Sequence, residues 1–329
     1  MLYDNHGRII NYLRLAVTDR CNLRCFYCMP ENGIQYVEKS ALLSYEEMVR
    51  LISVLSKLGI EKIRITGGEP FVRKGMMQFL STICQIPGIQ DVHLTTNGTV
   101  TAPLVPELKK IGIKSVNLSI DSLDQQRFFD ITRRDVLPAV METFDALLDH
   151  GITTKLNTVV MSGKNTDDII PMTNLTKDYP VGVRFIEEMP FNGSGADHGL
   201  SLWNHHKILE KIKTVYPDLE KIPDPAFSTS ANYKIPGRLG TIGIIAAYSR
   251  TFCGTCNRIR LTPTGLLKTC LYDSGVFNVR DFLRAGASDK EISALFLNAL
   301  SHRAKDGFEA EENRRGGQSV SESMATIGG

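Results

Sequence analysis

Short apolar runs rich in β-branched residues alternate with longer stretches whose apolar positions recur every three or four residues over the first 190 positions. The first pattern predicts buried strands and the second amphipathic helices. Strands are expected at 12–17, 62–66, 91–95, 115–120, 153–160 and 182–187. Helices are expected at 75–86, 103–111, 137–149 and 166–177. The first helix opens on Ser44-Tyr-Glu-Glu47, a capping box in which the serine and glutamate side chains satisfy each other's backbone donors. It carries Met48, Leu51, Ile52, Leu55 and Leu58 on one face, and Gly59 can close it. About six strand–helix repeats imply a parallel sheet wound in one sense. Six is short of the eight of a closed barrel, so the expected class is α/β, an incomplete (β/α)6 TIM-like barrel. In such a fold, functional residues collect at the C-terminal ends of the strands.

The pattern loosens after Pro190. Asn192-Gly-Ser-Gly195 and Pro223-Asp-Pro225 read as loops. We therefore expect a boundary near 225, with a barrel over 1–225 and a C-terminal region over 226–329. A Ser/Gly-rich tail follows Arg315. Hydrophobic content of 42% over 329 residues is ordinary for a chain that buries a core. A net charge of +2 makes the whole protein no polyanion binder, so an anion site must come from a local basic cluster. No nucleic-acid module, basic tract, signal peptide or membrane-length apolar run is visible. Neither nucleic acid nor a membrane is expected as a partner. Seven cysteines without a secretory signal suit a reducing compartment, so a cytoplasmic location is expected.

The cysteines change the picture. Cys21, Cys25 and Cys28 fall within eight residues, in a loop just after the first expected strand. Such a loop can aim three sulfurs at one iron–sulfur cube, which normally takes four thiolates. No fourth cysteine lies near, so one iron would be open to a small molecule. A structural zinc site would want four protein ligands, and His6 and His93 are far away. The second expected strand runs into Gly67-Gly68-Glu69-Pro70, where two glycines let backbone approach a ligand closely.

With these motifs in this order, residues 10–190 resemble the radical S-adenosylmethionine (SAM) superfamily. The resemblance implies that Cys21, Cys25 and Cys28 hold a [4Fe–4S] cluster whose open iron chelates SAM. Gly68 would lie along the methionyl part of SAM, and Tyr27, Ser119 and Met189 match its other SAM-binding positions.

A second set, Cys253, Cys256 and Cys270, is spaced by two and thirteen residues. A hairpin turning at Pro263-Thr264-Gly265 could return Cys270 to the pair. On spacing alone, a zinc knuckle short of one ligand and a second open cluster both stand. Cys256 is followed by Asn257-Arg258-Ile259-Arg260, and the chain ends Gly328-Gly329. In these features it resembles the GTP 3′,8-cyclases of molybdenum-cofactor biosynthesis. That resemblance implies a second [4Fe–4S] cluster on Cys253, Cys256 and Cys270, its open iron facing guanine. It implies GTP contacts from Arg14, Arg64, Thr95, Lys155, Arg258, Ile259 and Arg260. Arg258, Arg260, Gly328 and Gly329 would take part in catalysis, the glycine tail entering the site.

The implied reaction is reductive cleavage of SAM to a 5′-deoxyadenosyl radical, which takes hydrogen from C3′ of GTP. The ribose radical then adds to guanine C8, giving 3′,8-cyclo-7,8-dihydro-GTP. The implied partners are an electron donor, a downstream cyclic pyranopterin monophosphate synthase and a second copy in a homodimer. Two rival readings are a radical SAM enzyme acting on a peptide or RNA base, and a non-catalytic metal scaffold. Cys84 reads as a small buried hydrophobe, and His93 as a satisfied core histidine.

Overall fold

Outward-facing strand residues are apolar and inward-facing ones polar, and this two-sidedness organises the computed structural model, which describes residues 1–192, 203–314 and 322–328. The chain runs β1 (Tyr12–Ala16), α1 (Tyr45–Leu58), β2 (Lys62–Thr66), α2 (Met76–Cys84), β3 (Asp91–Thr96), α3 (Val105–Lys110), β4 (Ser115–Ser119), α4 (Gln125–Thr132), α5 (Leu137–Asp149), β5 (Thr153–Val160), α6 (Ile169–Asp178) and β6 (Gly182–Glu187). It continues with α7 (His205–Val215), β7 (Glu220–Lys221), β8 (Ala231–Lys234), β9 (Thr241–Ile245), β10 (Arg258–Leu261), β11 (Leu266–Lys268), β12 (Phe277–Asn278), α8 (Val279–Arg284), α9 (Asp289–Leu300), α10 (Gly307–Glu312) and α11 (Met324–Ile327).

One sheet holds the described strands in the order β12-β11-β10-β1-β2-β3-β4-β5-β6-β9-β8-β7. From β10 to β9 every neighbouring pair is parallel. Antiparallel partners extend both ends. The six expected strands stand in chain order, and the sheet stays open. Two further parallel strands flank the six: β9, which the sequence reading did not include, and β10, expected only as the first arm of the hairpin that turns at Gly265. Residues 226–329 thus supply strands to both edges of the sheet.

Leu13, Leu15, Ile63, Ile65, Leu94 and Val116 point outward and are buried against Met48, Leu51, Leu55, Phe79, Leu80 and Ile83 of the helices. Each such side chain contributes about 1.5–3 kcal/mol by leaving water. The capping box forms as expected: Glu47 N–H donates to Ser44 Oγ at 3.1 Å, and Ser44 N–H to Glu47 Oε2 at 2.7 Å. Gly59 ends α1 at φ 113°, a conformation open to glycine. Helix α4 is an addition to the expected elements. Asp124 caps it, its carboxylate accepting from Arg127 N–H at 2.8 Å. Cys84 packs half-buried against the outer core. His93 departs from expectation: it is buried, yet neither ring nitrogen has a hydrogen-bond partner. Burial first, then Arg64 and Lys62, push its pKa down to about 3, so it is neutral.

Candidate active site

The concave face of the sheet encloses a cavity of about 430 Å³. Strand alternation delivers its walls. Tyr12 and Arg14 come from β1, Lys62 and Arg64 from β2, Thr95 from β3, Asn117 and Ser119 from β4, Lys155 and Asn157 from β5, Arg184 from β6, and Arg258 and Arg260 from β10. Arg14 is in register with Arg64 on one side and Arg260 on the other. Asn117 stands between Thr95 and Lys155.

Seven of these residues are cations, and among the described residues none of the seven pairs with a carboxylate. Arg64 Nε donates to Tyr12 Oη at 2.5 Å. Arg14 Nε and Arg64 Nη1 are buried without a partner. Burial, then crowding by Arg184 and Arg64, pulls the Lys155 pKa down to about 8. Burial lowers Arg260 to about 9, with Arg14 and Arg258 adding to it. Against its own burial, Tyr12 is drawn down to about 7 by Arg64, Arg14 and Lys62. Buried like charges are expensive unless an opposite charge joins them. The donor set therefore fits a multiply charged anion, and arginine forks suit phosphate oxygens.

Both thiol triads open onto this same cavity. All six sulfurs belong to free thiols. The loop bearing Cys21, Cys25 and Cys28 is pinned from two sides. Arg24 and Phe26 N–H groups donate to Thr132 and Ile131 carbonyls at the end of α4, at 2.9 and 3.2 Å. On the other side the loop meets Gly68, where an added Cβ would lie 2.2 Å from Arg20 O. The glycine is thus required by contact between the end of β2 and the cysteine loop, a reason different from close approach to a ligand. Glu69 is fully buried, and its carboxylate accepts from Asn97 N–H at 2.7 Å, Thr96 Oγ1 at 2.9 Å and Phe71 N–H at 3.2 Å. Burial outweighs these bonds and raises its pKa to about 7. Tyr27 Oη donates to Asp121 Oδ2 at 2.8 Å. Burial raises Asp121 to about 6.

The second triad is built on the expected hairpin. β10 and β11 pair antiparallel with Arg260 opposite Lys268, which returns Cys270 toward Cys256. Gly265 turns the hairpin at φ 88°, with Arg280 too close for a Cβ. Burial opposes ionisation of Cys256, but Arg258 and Arg303 beside it bring the thiol down to about 6. Among the described residues no three His, Cys, Asp or Glu groups converge as a single metal ion requires. A mononuclear zinc site wants such convergence. Three thiols lining one cavity suit the corners of a larger cluster.

The chain's own tail reaches the cavity. Arg260 Nη1 donates to Gly328 O at 2.6 Å. A Cβ on Gly328 would lie 2.4 Å from Thr66 Oγ1 and 2.9 Å from Ala16 Cβ. Ser323 Oγ donates to the Cys28 carbonyl at 2.6 Å, tying α11 to the first triad's loop. Gly329, also expected here, lies outside the described residues.

Of the other expected residues, Tyr27, Gly68, Ser119, Met189, Arg14, Arg64, Thr95, Lys155, Arg258 and Arg260 all line the cavity. Ile259 does not: its side chain is fully buried in the outer core, so only its main chain is available to a ligand. The sequence reading missed Tyr12, Lys62, Asn117, Asn157 and Arg184. Tyr12, Lys62, Asn117 and Asn157 each lie two residues along a strand from a residue that it did name, so extending the period of two would have found them; Arg184 is in register only with Asn157 and Gly243, neither of them named.

Comparison with known proteins matches residues 15–176 to the radical SAM superfamily model and residues 181–308 to the Molybdenum Cofactor Synthesis C model. The chain is 43% identical to a GTP 3′,8-cyclase of Syntrophomonas wolfei subsp. wolfei over 95% of its own length and 98% of the relative's. It is 40% identical to a GTP 3′,8-cyclase of Moorella thermoacetica over the whole of both chains. Human molybdenum cofactor biosynthesis protein 1 is 40% identical over 92% of this chain and 48% of that protein. Among solved structures, Streptococcus suis SuiB bound to S-adenosylmethionine superposes with a TM-score of 0.61 at 13% identity, covering 88% of this chain and 68% of SuiB, a likeness of fold. No described helix is long and apolar enough to cross a membrane.

Proposed function

The chain belongs to the GTP 3′,8-cyclase family of radical SAM proteins, and from that premise we propose that it converts GTP to 3′,8-cyclo-7,8-dihydro-GTP, the first step of molybdopterin biosynthesis. The observation that carries the reading is one cavity lined at once by two thiol triads and by seven cations that have no carboxylate partner among the described residues.

Cys21, Cys25 and Cys28 would hold the cluster that works with SAM, and Cys253, Cys256 and Cys270 a second [4Fe–4S] cluster. Bound there, the first supplies one-electron reduction of the SAM sulfonium, giving methionine and the 5′-deoxyadenosyl radical. Tyr27, Gly68, Ser119 and Met189 position SAM. Arg14, Arg64, Lys155, Arg258 and Arg260 bind GTP, with Thr95 and the main chain of Ile259; Lys62 and Arg184 join them. Their work is neutralisation and orientation: they hold the triphosphate so that C3′ faces SAM and guanine lies toward the second triad. Hydrogen leaves C3′, C3′ bonds to C8, and one further electron and a proton complete the dihydro product. The sheet and tail exclude water from the radical. Gly328 fits this crowded space because it carries no side chain, and the reading gives Gly329 a share in catalysis.

The division into a 1–225 barrel and a 226–329 cluster-bearing region belongs to this reading. So do an external one-electron donor, a downstream synthase making cyclic pyranopterin monophosphate, a homodimer and a cytoplasmic location. The deciding experiment is anaerobic reconstitution with iron and sulfide, then assay with SAM, GTP and dithionite. The expected result is 5′-deoxyadenosine and a cyclised nucleotide, with about eight irons per chain. Deoxyadenosine without a cyclised nucleotide, or two zincs in place of iron and sulfide, would reject the reading.

A further inference from the structure

Beside the second triad lies a buried knot that joins residues 4–8 to residue 303. Asp4 has a fully buried carboxylate. It accepts from Arg8 Nε at 2.6 Å, Arg303 Nη1 at 3.1 Å, and the Arg8 and His6 N–H groups at 2.9 Å. The two arginines then reach the cysteine segments. Arg8 Nη1 donates to Cys253 O at 3.2 Å. Arg303 Nη1 donates to Cys256 O at 3.0 Å, and Nε to the carbonyl of Thr269, next to Cys270, also at 3.0 Å. Arg303 Nη2 donates to Arg258 O at 3.0 Å and to the sulfur of Cys256 at 3.1 Å.

The guanidinium has five N–H donors in a rigid fork, and here all five have acceptors. That degree of satisfaction at a 3%-exposed side chain fixes the charge beside one thiol. Hydrogen bonds to ligand sulfurs help set the potential of an iron–sulfur cluster. A cationic donor stabilises the more negative, reduced form.

We propose that Arg303, locked by Asp4, is the positioning residue of the second triad, and that its bond to the Cys256 sulfur raises the reduction potential of the cluster held there. This rests on the reading that Cys253, Cys256 and Cys270 hold a cluster.

The test uses the full chain with Cys21, Cys25 and Cys28 changed to Ser, so that only the second triad can load. After anaerobic reconstitution, iron and sulfide are counted and the midpoint is read by EPR-monitored redox titration. Arg303→Met and Arg303→Lys are compared with the Arg303 chain. If the Arg303 chain itself takes up no iron and sulfide, the cluster reading fails before Arg303 is judged. With that chain loaded, Arg303→Met should lower the midpoint by a tenfold shift of the reduction equilibrium, about 59 mV for one electron. Arg303→Lys keeps the charge but cannot satisfy all five acceptors, and should fall by less. A folded Met chain that loads no iron while the Lys chain does also supports the proposal. A loaded Met chain with an unchanged midpoint overturns it. Should the Met chain not fold, the Lys chain decides, and its unchanged midpoint overturns the proposal. Failure of both to fold also overturns it, because the residue then serves the fold alone.

Discussion

The two thiol triads share a cavity but not an electrical setting. Around the first, the donors to sulfur are neutral: Leu23 N–H at 3.4 Å and the Asn97 amide at 3.7 Å from Cys21 Sγ, Tyr27 at Cys25, and Ala325 and Ser323 at Cys28. Carboxylates stand near it, with Glu69 raising the Cys21 thiol and Asp121 the Cys25 thiol, on top of burial. Around the second, guanidinium groups of Arg258 and Arg303 crowd Cys256. An anionic surround disfavours adding an electron, which makes the electron, once there, readier to leave. The cations at Cys256 hold negative charge there, although Asp306 and Asp273 act the other way on Cys253 and Cys270. The difference teaches that two sets of three thiols on one cavity can have different electrostatic settings, fixed by residues outside the motifs.

The largest test of this contrast is paired substitution. Cys25→Ser should abolish SAM cleavage while about four irons remain; Cys256→Ser should leave SAM cleavage and stop formation of the cyclised nucleotide. Iron analysis beside product chromatography reads both, and equal loss of deoxyadenosine in the two chains would erase the contrast. Next, deleting Gly328 and Gly329 should halt cyclisation with both clusters retained. Undiminished product would make the Arg260–Gly328 contact dispensable.

A smaller effect is expected from the cationic wall. Lys155→Ala or Arg184→Ala should each weaken GTP binding by roughly ten- to a hundredfold, the equivalent of about 1.5–3 kcal/mol for a charged hydrogen bond, with iron content unchanged. Burial, then Arg184, pulls the Lys155 pKa down to about 8, and a bound triphosphate would favour its charged form. Affinity should therefore fall as pH rises through 8, and Lys155→Ala should flatten that part of the profile; equilibrium binding across pH checks it. The smallest effect concerns the tail's tie to the first triad. Ser323→Ala removes two hydrogen bonds, the one to the Cys28 carbonyl and the cap on Ala325 N–H, about 1 kcal/mol each, and should speed amide exchange over 324–328 roughly five- to thirtyfold.

Much of this was legible before any coordinates. The six central strands announce themselves by apolar alternation, and α1 by a capping box that forms as written. β9 was not legible, because an antiparallel partner, β8, precedes it where the rhythm expects a helix, and β10 was legible only as a hairpin arm, not as a neighbour of β1. β10 also looks half-polar, since Arg258 and Arg260 face the cavity while Ile259 and Leu261 face the core. Arg184 escaped because one arginine in a strand is usually a surface residue; only its register with Asn157 brings it inward. Helix α4 hid in a polar stretch whose apolar stripe is short, though its end holds the first cysteine loop. The Asp4–Arg8–Arg303 knot could not be read at all, because nothing local links residue 4 to residue 303.

The pairing of β1 with β10 joins residues 12–15 to residues 258–261. During translation the opening strand must wait for some 240 residues, on the order of ten to fifty seconds at 5–20 residues per second, with one flank unpaired. Exposed strand flanks invite other chains, and inward charges are a known deterrent. Arg14 and its neighbours would thus guard the nascent protein against aggregation long before any nucleotide reaches them.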